Sequence, residues 1–135
     1  MLLWTKQFET GVEKIDQQHR TLIANINHLE EQLHITNPTK EDCEFIIRLV
    51  DFLETYADKH FAQEEECMSR FRCPAHEQNK RGHEYFRSLI REYQKRFARE
   101  GFSVELLQKL HAAARAWIQD HILKIDTQLR EVISG

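Results

Sequence analysis

Apolar residues recur every three or four positions along four stretches of the chain, and each run fits one face of an α-helix. The first run holds Leu22, Ile23, Ile26, Leu29 and Leu33, and the second Ile46, Leu49, Val50, Leu53 and Tyr56. The third holds Phe86, Ile90, Tyr93 and Phe97, and the fourth Leu106, Leu107, Leu110, Ala114 and Trp117. No alternating strand pattern competes. Punctuation is sparse, with four glycines and two prolines. Gly11 precedes a helix expected over about residues 15–34, and Asn37-Pro38 opens one running to about residue 70. Cys73-Pro74 opens a third, to about residue 99, which Gly101 stops before Ser103 caps a fourth with Glu105 in its first turn. Four stripes joined by short loops predict an all-α fold: an antiparallel up-down-up-down four-helix bundle with an N-terminal extended segment, in one domain spanning residues 1–135.

Each stripe, continued by its own period, runs into polar residues. Backwards from Leu22 and Ile26 it reaches His19; forwards from Leu53 and Tyr56 it reaches His60 and then Glu64. Backwards from Phe86 and Ile90 it reaches His83 and then Asn79; forwards from Ala114 and Trp117 it reaches His121. In an up-down-up-down bundle these four ends lie together, so four histidines and a glutamate converge. The other histidines serve as a control: His28, His34 and His111 fall off the stripes and His76 starts the third helix, so all four are expected at the surface.

An ionised Glu64 in a core costs several kcal/mol unless it is paired or metal-bound, and no Lys or Arg on the stripes offers to pair it. A cation resolves the whole set. Imidazoles with carboxylates and no convergent thiolate suit iron, zinc, copper or manganese. A closed structural zinc site needs only four ligands. Asp126 lies five residues after His121, roughly 140° around an ideal helix, so it joins only if the fourth helix is broken or the two residues serve different ions. That favours a dinuclear centre with bridging carboxylates. His60 and Glu64, at i and i+4, share one helical face as such a centre requires.

Composition narrows the alternatives. With 22 acidic and 19 basic side chains and a net charge of −3, the chain has no basic field for a phosphate backbone, so no nucleic-acid partner is expected. No apolar run approaches the roughly 20 residues of a spanning helix, and the segment from Met1 to Gln7 lacks the basic start and apolar core of a signal peptide. No membrane partner is expected, and the location is expected to be cytoplasmic. Cys43, Cys67 and Cys73 are an odd set without framework spacing, which fits reduced thiols; Cys67 and Cys73, six apart across a turn, are the candidates for redox activity.

Trp4, Phe8, Gly11-Val12 and Ile15-Asp16-Gln17-Gln18-His19, followed by His60-Phe61-Ala62-Gln63-Glu64-Glu65, His83-Glu84-Tyr85-Phe86 and His121-Ile122-Leu123-Lys124-Ile125-Asp126, resemble the motifs of hemerythrins, bacterial ones in particular. The resemblance covers nearly the whole chain. It implies two iron ions in an oxo- or hydroxo-bridged di-iron centre that binds O2, with small anions such as azide as further ligands. Carried over position by position, His19 and His60 hold one iron, His83 and His121 the other, and Glu64 and Asp126 bridge them. Trp117, Ile118 and Phe61 flank the ligands, either as an apolar wall on the ligand side or as plain bundle core.

One departure stands out. The family pattern places histidines four apart on the third helix; His83 is the second, and position 79 is Asn79. An amide oxygen is a weak ligand for iron beside imidazole. His76 lies seven residues from His83, roughly 10.5 Å along a helix axis, and would have to bend inward to replace it. The expected outcome is an iron with two histidines and an extra open position, and hence an O2 or redox sensor that oxidises rapidly. A reversible carrier or store, or an enzyme reducing peroxide or nitric oxide, are the alternatives. Bacterial relatives of this kind can be fused to signalling domains such as a diguanylate cyclase, so a fused or associated signalling domain is an expected partner.

Overall fold

The structure, a computed structural model, describes residues 1–133; Ser134 and Gly135, which the expected domain includes, lie outside the described residues. Four long helices make the body: α1 (Glu13–Gln32), α2 (Lys40–Arg70), α3 (His76–Glu100) and α4 (Val104–Lys124). A five-residue helix, α5 (Leu129–Ile133), was not anticipated, and single 3-10 turns sit at Lys6–Phe8 and Asp126–Gln128. Each long helix packs against its neighbours in sequence, and α4 closes back on α1. The bundle expected from the stripes is therefore formed. Among the described residues no helix is long and apolar enough to cross a membrane.

The helix starts follow local chemistry more than the prolines. At α2, Thr39 rather than Asn37-Pro38 is the cap: its hydroxyl accepts from the Asp42 N–H at 3.1 Å, and the Asp42 carboxylate accepts from the Thr39 N–H at 2.9 Å. This reciprocal box satisfies two of the otherwise orphaned groups at a helix start. The α3 start is likewise two residues later than Pro74, because the chain first turns through Arg72, with φ of 52°, to bury Cys73 and Ala75 under Met68 and Leu129. Ser103 caps α4 as expected, accepting from the Leu106 N–H at 2.9 Å.

Ile26, Leu29, Leu53, Leu107, Leu110 and Ala114 form the fully buried centre of the core. The N-terminal segment lies along α1: Asn27 exchanges two hydrogen bonds with the Leu2 backbone, at 3.0 and 2.9 Å. Asp16 ties the segment to the first turn of α1 by accepting from both the N–H and the hydroxyl of Thr10, each at 2.8 Å. At the end of α4, Ile125 departs from helical geometry (φ −115°, ψ −57°) and the chain turns into the 3-10 segment that begins with Asp126. That break is one of the two conditions on which Asp126 was expected to join the site.

Candidate metal centre

The start of α1, the end of α2, the start of α3 and the end of α4 meet at one end of the bundle, and the six expected residues come together there. His19, His60, Glu64, His83, His121 and Asp126 are all buried, at 5% exposure or less. Their donor atoms fall into two groups sharing Glu64: His19, His60 and Glu64 in one, and Glu64, His83, His121 and Asp126 in the other, each within 4.8 Å.

The carboxylates span the two groups. Glu64 Oε2 lies 2.9 Å from His19 Nε2 and 3.3 Å from His60 Nε2, while its Oε1 lies 3.0 Å from His83 Nε2. Asp126 Oδ2 lies 3.1 Å from His19 Nε2 and its Oδ1 3.2 Å from His121 Nε2. Each acid thus reaches imidazoles of both groups. Within this set His60 Nε2 and Asp126 Oδ1 are buried without a hydrogen-bond partner. Buried polar atoms are almost always satisfied. Two donors left unbonded among crowded imidazoles and carboxylates fit a cation between them, and the imidazole and carboxylate set is one that iron accepts.

Electrostatics say the same. Burial alone pushes the His19 imidazole down, but hydrogen bonds and charge from Asp126 and Glu64 outweigh it and raise it to about 10. Burial likewise opposes the net rise at His83, which Glu64 drives. At His60 burial wins and the imidazole is lowered. Glu64 is held well below the usual carboxylate range by His60, His19 and His83, against the opposing effect of its burial. The two buried acids draw positive charge onto His19 and His83.

Asn79, fully buried, sits at the rim of the second group. Its amide oxygen lies 2.6 Å from His121 Nε2, and its amide nitrogen donates to Glu64 Oε1 at 3.1 Å and contacts Met68 Sδ at 3.2 Å. His76 stays at the helix start, where its Nδ1 lies 4.0 Å from Glu77, and does not join the centre. Of the control histidines, His28 and His34 are exposed as expected. His111 is not: it is 7% exposed at the far end of the bundle. The stripe of α4 is wider than the period drawn for it, and Glu30 of α1, whose carboxylate is 3.8 Å away, lies against that edge. The three cysteines are free, with Cys73 buried and burial pushing the Cys67 thiol up.

Aromatic rings pack the imidazoles in place. Phe61 stacks on His83 with centroids 3.8 Å apart and planes 9° apart, and Trp117 stacks on His121 at 4.3 Å and 15°. A cavity of about 10 Å³, near the least volume that holds one water, is lined by His19, His60, His121 and Asp126 together with Leu22, Phe61, Trp117, Ile118 and Ile122. Phe61, Trp117 and Ile118 were expected there; Leu22 and Ile122 extend the apolar wall.

Several supporting residues went unread in the sequence. Glu65 Oε2 lies 2.7 Å from His83 Nδ1, and Gln18 Oε1 lies 2.7 Å from His60 Nδ1 and is itself tied to Gln63. Each of the first two follows or precedes an expected ligand by one residue, about 100° around a helix, which turns it toward the outer side of the neighbouring helix's ring. Gly82 is another: a Cβ there would lie 2.6 Å from His121 Cε1.

Residues 10–133 match the Hemerythrin HHE cation binding domain. The chain is 34% identical over 123 residues to a bacteriohemerythrin of Stenotrophomonas maltophilia, spanning 90% of this chain and 74% of that protein. It is 30% identical over 125 residues to a bacteriohemerythrin of Pseudomonas aeruginosa, spanning 93% and 76%. A crystal structure of wild-type hemerythrin superposes with a TM-score of 0.85 at 26% identity, covering 100% of this chain and 99% of that one.

Proposed function

The chain belongs to the hemerythrin family, and from that premise we propose that it is a non-haem di-iron domain that senses O2 or redox state. In this reading His19 and His60 hold one iron, His83 and His121 hold the other, and Glu64 and Asp126 link them. The observation that carries it is the division of each carboxylate's two oxygens between the two groups of imidazoles. The ions, when bound, supply electrons and the position at which O2 or a small anion such as azide coordinates.

The chain's own residues govern what reaches that position and how long it stays. Phe61, Trp117 and Ile118 present an apolar wall that disfavours water and admits a small neutral gas. Asn79 puts a neutral amide where the family pattern has an imidazole, so both halves of the centre have two nitrogen donors and the His83–His121 half adds only a weakly held oxygen. Fewer strong donors leave a position open for exchange, which favours prompt oxidation over reversible storage. Asp126 stands at the junction of α4 with the turn leading to α5, whose Arg130 donates to the backbone carbonyls of Lys6 and Gln7 at 2.9 and 2.7 Å. A shift at Asp126 is thereby passed to the N-terminal segment, where a fused or associated signalling domain could read it. Free thiols fit a cytoplasmic setting.

Stopped-flow mixing of the reduced, iron-loaded protein with O2 tests the reading. Conversion to the oxidised protein without a long-lived adduct is the expected result. An adduct that persists and releases O2 under vacuum would reject sensing by oxidation in favour of a reversible carrier or store, and sustained turnover of peroxide or nitric oxide would favour the enzyme reading.

A further inference from the structure

Consecutive residues of α2 grip the two nitrogens of one imidazole. Glu64 Oε1 lies 3.0 Å from His83 Nε2, and Glu65 Oε2 lies 2.7 Å from His83 Nδ1. The Phe61 ring, one helical turn before Glu65, stacks flat on the same imidazole. His83 is therefore fixed on both edges and one face. The other three site imidazoles differ on their outer side. His60 Nδ1 meets the neutral amide oxygen of Gln18. His19 Nδ1 is buried with no partner. For His121, only Nε2 is engaged among the described residues. Among the described residues Glu65 is the single anion hydrogen-bonded behind a site imidazole.

We infer that Glu65 is a positioning residue that makes the two metal positions unequal: by accepting the Nδ1–H of His83 it fixes the ring with Nε2 inward and strengthens it as a donor, so the His83–His121 position binds its ion first and is the more easily oxidised. The physical basis is general. A carboxylate behind a ligating histidine sets its tautomer and raises its basicity, and losing such a partner weakens metal binding by about 10- to 100-fold. A more basic imidazole also stabilises the ferric over the ferrous ion. In this chain the charge of Glu65 offsets part of what the neutral Asn79 withholds from the same position. The Gln18 side of the centre has no such support, since an amide orients His60 without adding charge.

The inference rests on the two-ion reading above, and the experiment separates the two. The chelator-treated protein, with its Glu65→Gln and Glu65→Ala variants, is titrated with Fe(II) under anaerobic conditions, and the loaded proteins are then titrated potentiometrically. The parent is expected to take up two ions in two resolved steps. In Glu65→Gln, which keeps an acceptor but loses the charge, the first step weakens by 10- to 100-fold and the second is unchanged. The lower midpoint potential rises, by about 59 mV for each tenfold loss of ferric preference. Glu65→Ala weakens the first step at least as much. Two steps and potentials matching the parent in both variants would overturn the role of Glu65. Glu65→Gln matching the parent while Glu65→Ala does not would reduce that role to orientation and overturn the charge argument. Saturation of the parent at one ion would instead reject the two-ion reading itself.

Discussion

The His121 imidazole on α4 rests against Gly82 on α3, so closely that a Cβ at position 82 would stand 2.6 Å from Cε1 and 2.8 Å from Nδ1. Trp117 stacks on the ring's face, and its Nε2 points into the centre. Replacing a helical glycine with alanine ordinarily gains about 0.5–1 kcal/mol, whereas overpacking costs about 1–3 kcal/mol. Because the obstructing atoms are the far end of a side chain, the ring can swing away, but the swing carries Nε2 off the centre. Gly82→Ala is therefore expected to change the stability of the metal-free protein by no more than about 1–2 kcal/mol while cutting iron affinity at least tenfold. Urea unfolding and iron titration check the two halves; unaltered iron affinity would show that the close approach is not needed to aim His121.

Asn79→His supplies the imidazole that the family pattern has at this position. The expected effect is slower oxidation by O2, at least tenfold, with an adduct long-lived enough to see by rapid-mixing spectroscopy. The larger ring must fit against Met68, whose sulfur is 3.2 Å from the Asn79 amide nitrogen, so the variant should also lose about 1–3 kcal/mol of stability before metal is added. An oxidation rate equal to the parent's would detach reactivity from the missing histidine.

The metal-free protein should weaken as pH rises above neutrality. The folded His19 is raised to about 10 from an ordinary 6.5, so the stability it contributes is complete below 6.5 and is lost as pH climbs through about 10. His83 is raised too and acts with the same sign. His60 is lowered, so its contribution has the opposite sign but is already complete above its ordinary value of 6.5 and stays constant over this range. Urea midpoints from pH 7 to 10 are expected to fall for the chelated protein and to fall less in His19→Gln. With iron bound the trend should reverse, because protons no longer compete for the ligand nitrogens. A flat profile in the chelated protein would mean that the carboxylates do not hold a proton on His19.

Removing the metal should destabilise the fold without abolishing it. The core at the opposite end, around Ile26, Leu29, Leu107 and Leu110, makes no use of the centre. An ion present at one hundred times its dissociation constant stabilises by about 2.7 kcal/mol, so chelation should lower the melting temperature by several degrees while the far-ultraviolet helical signal persists at 20 °C, roughly room temperature. Loss of that signal on chelation would make the metal a structural requirement.

Much of this was legible because buried polar residues break an otherwise apolar stripe. His19, His60, His83 and His121 were found by extending a period, and the roughly 140° offset between His121 and Asp126 on an unbroken helix called for either a broken helix or two different ions. What stayed hidden depends on contacts between helices. Glu65 and Gln18 sit beside expected ligands in sequence, yet nothing local says which neighbouring ring each will meet. Gly82 is an ordinary helix position until the His121 ring is placed against it. His111 lay off its stripe and was read as exposed, because its neighbour Glu30 stands on α1, far away in sequence. The α2 start was displaced by two residues because the Thr39–Asp42 box, not Pro38, decides where the helix begins.

In the di-iron reading Glu64 and Asp126 each serve two metal ions. Anomalous diffraction at the iron edge, from crystals of the iron-loaded protein, tests it most directly. Two peaks per chain are predicted, one beside His19 and His60 and one beside His83 and His121, with both acids reaching both peaks. A single peak, or two peaks with either acid confined to one of them, would contradict it.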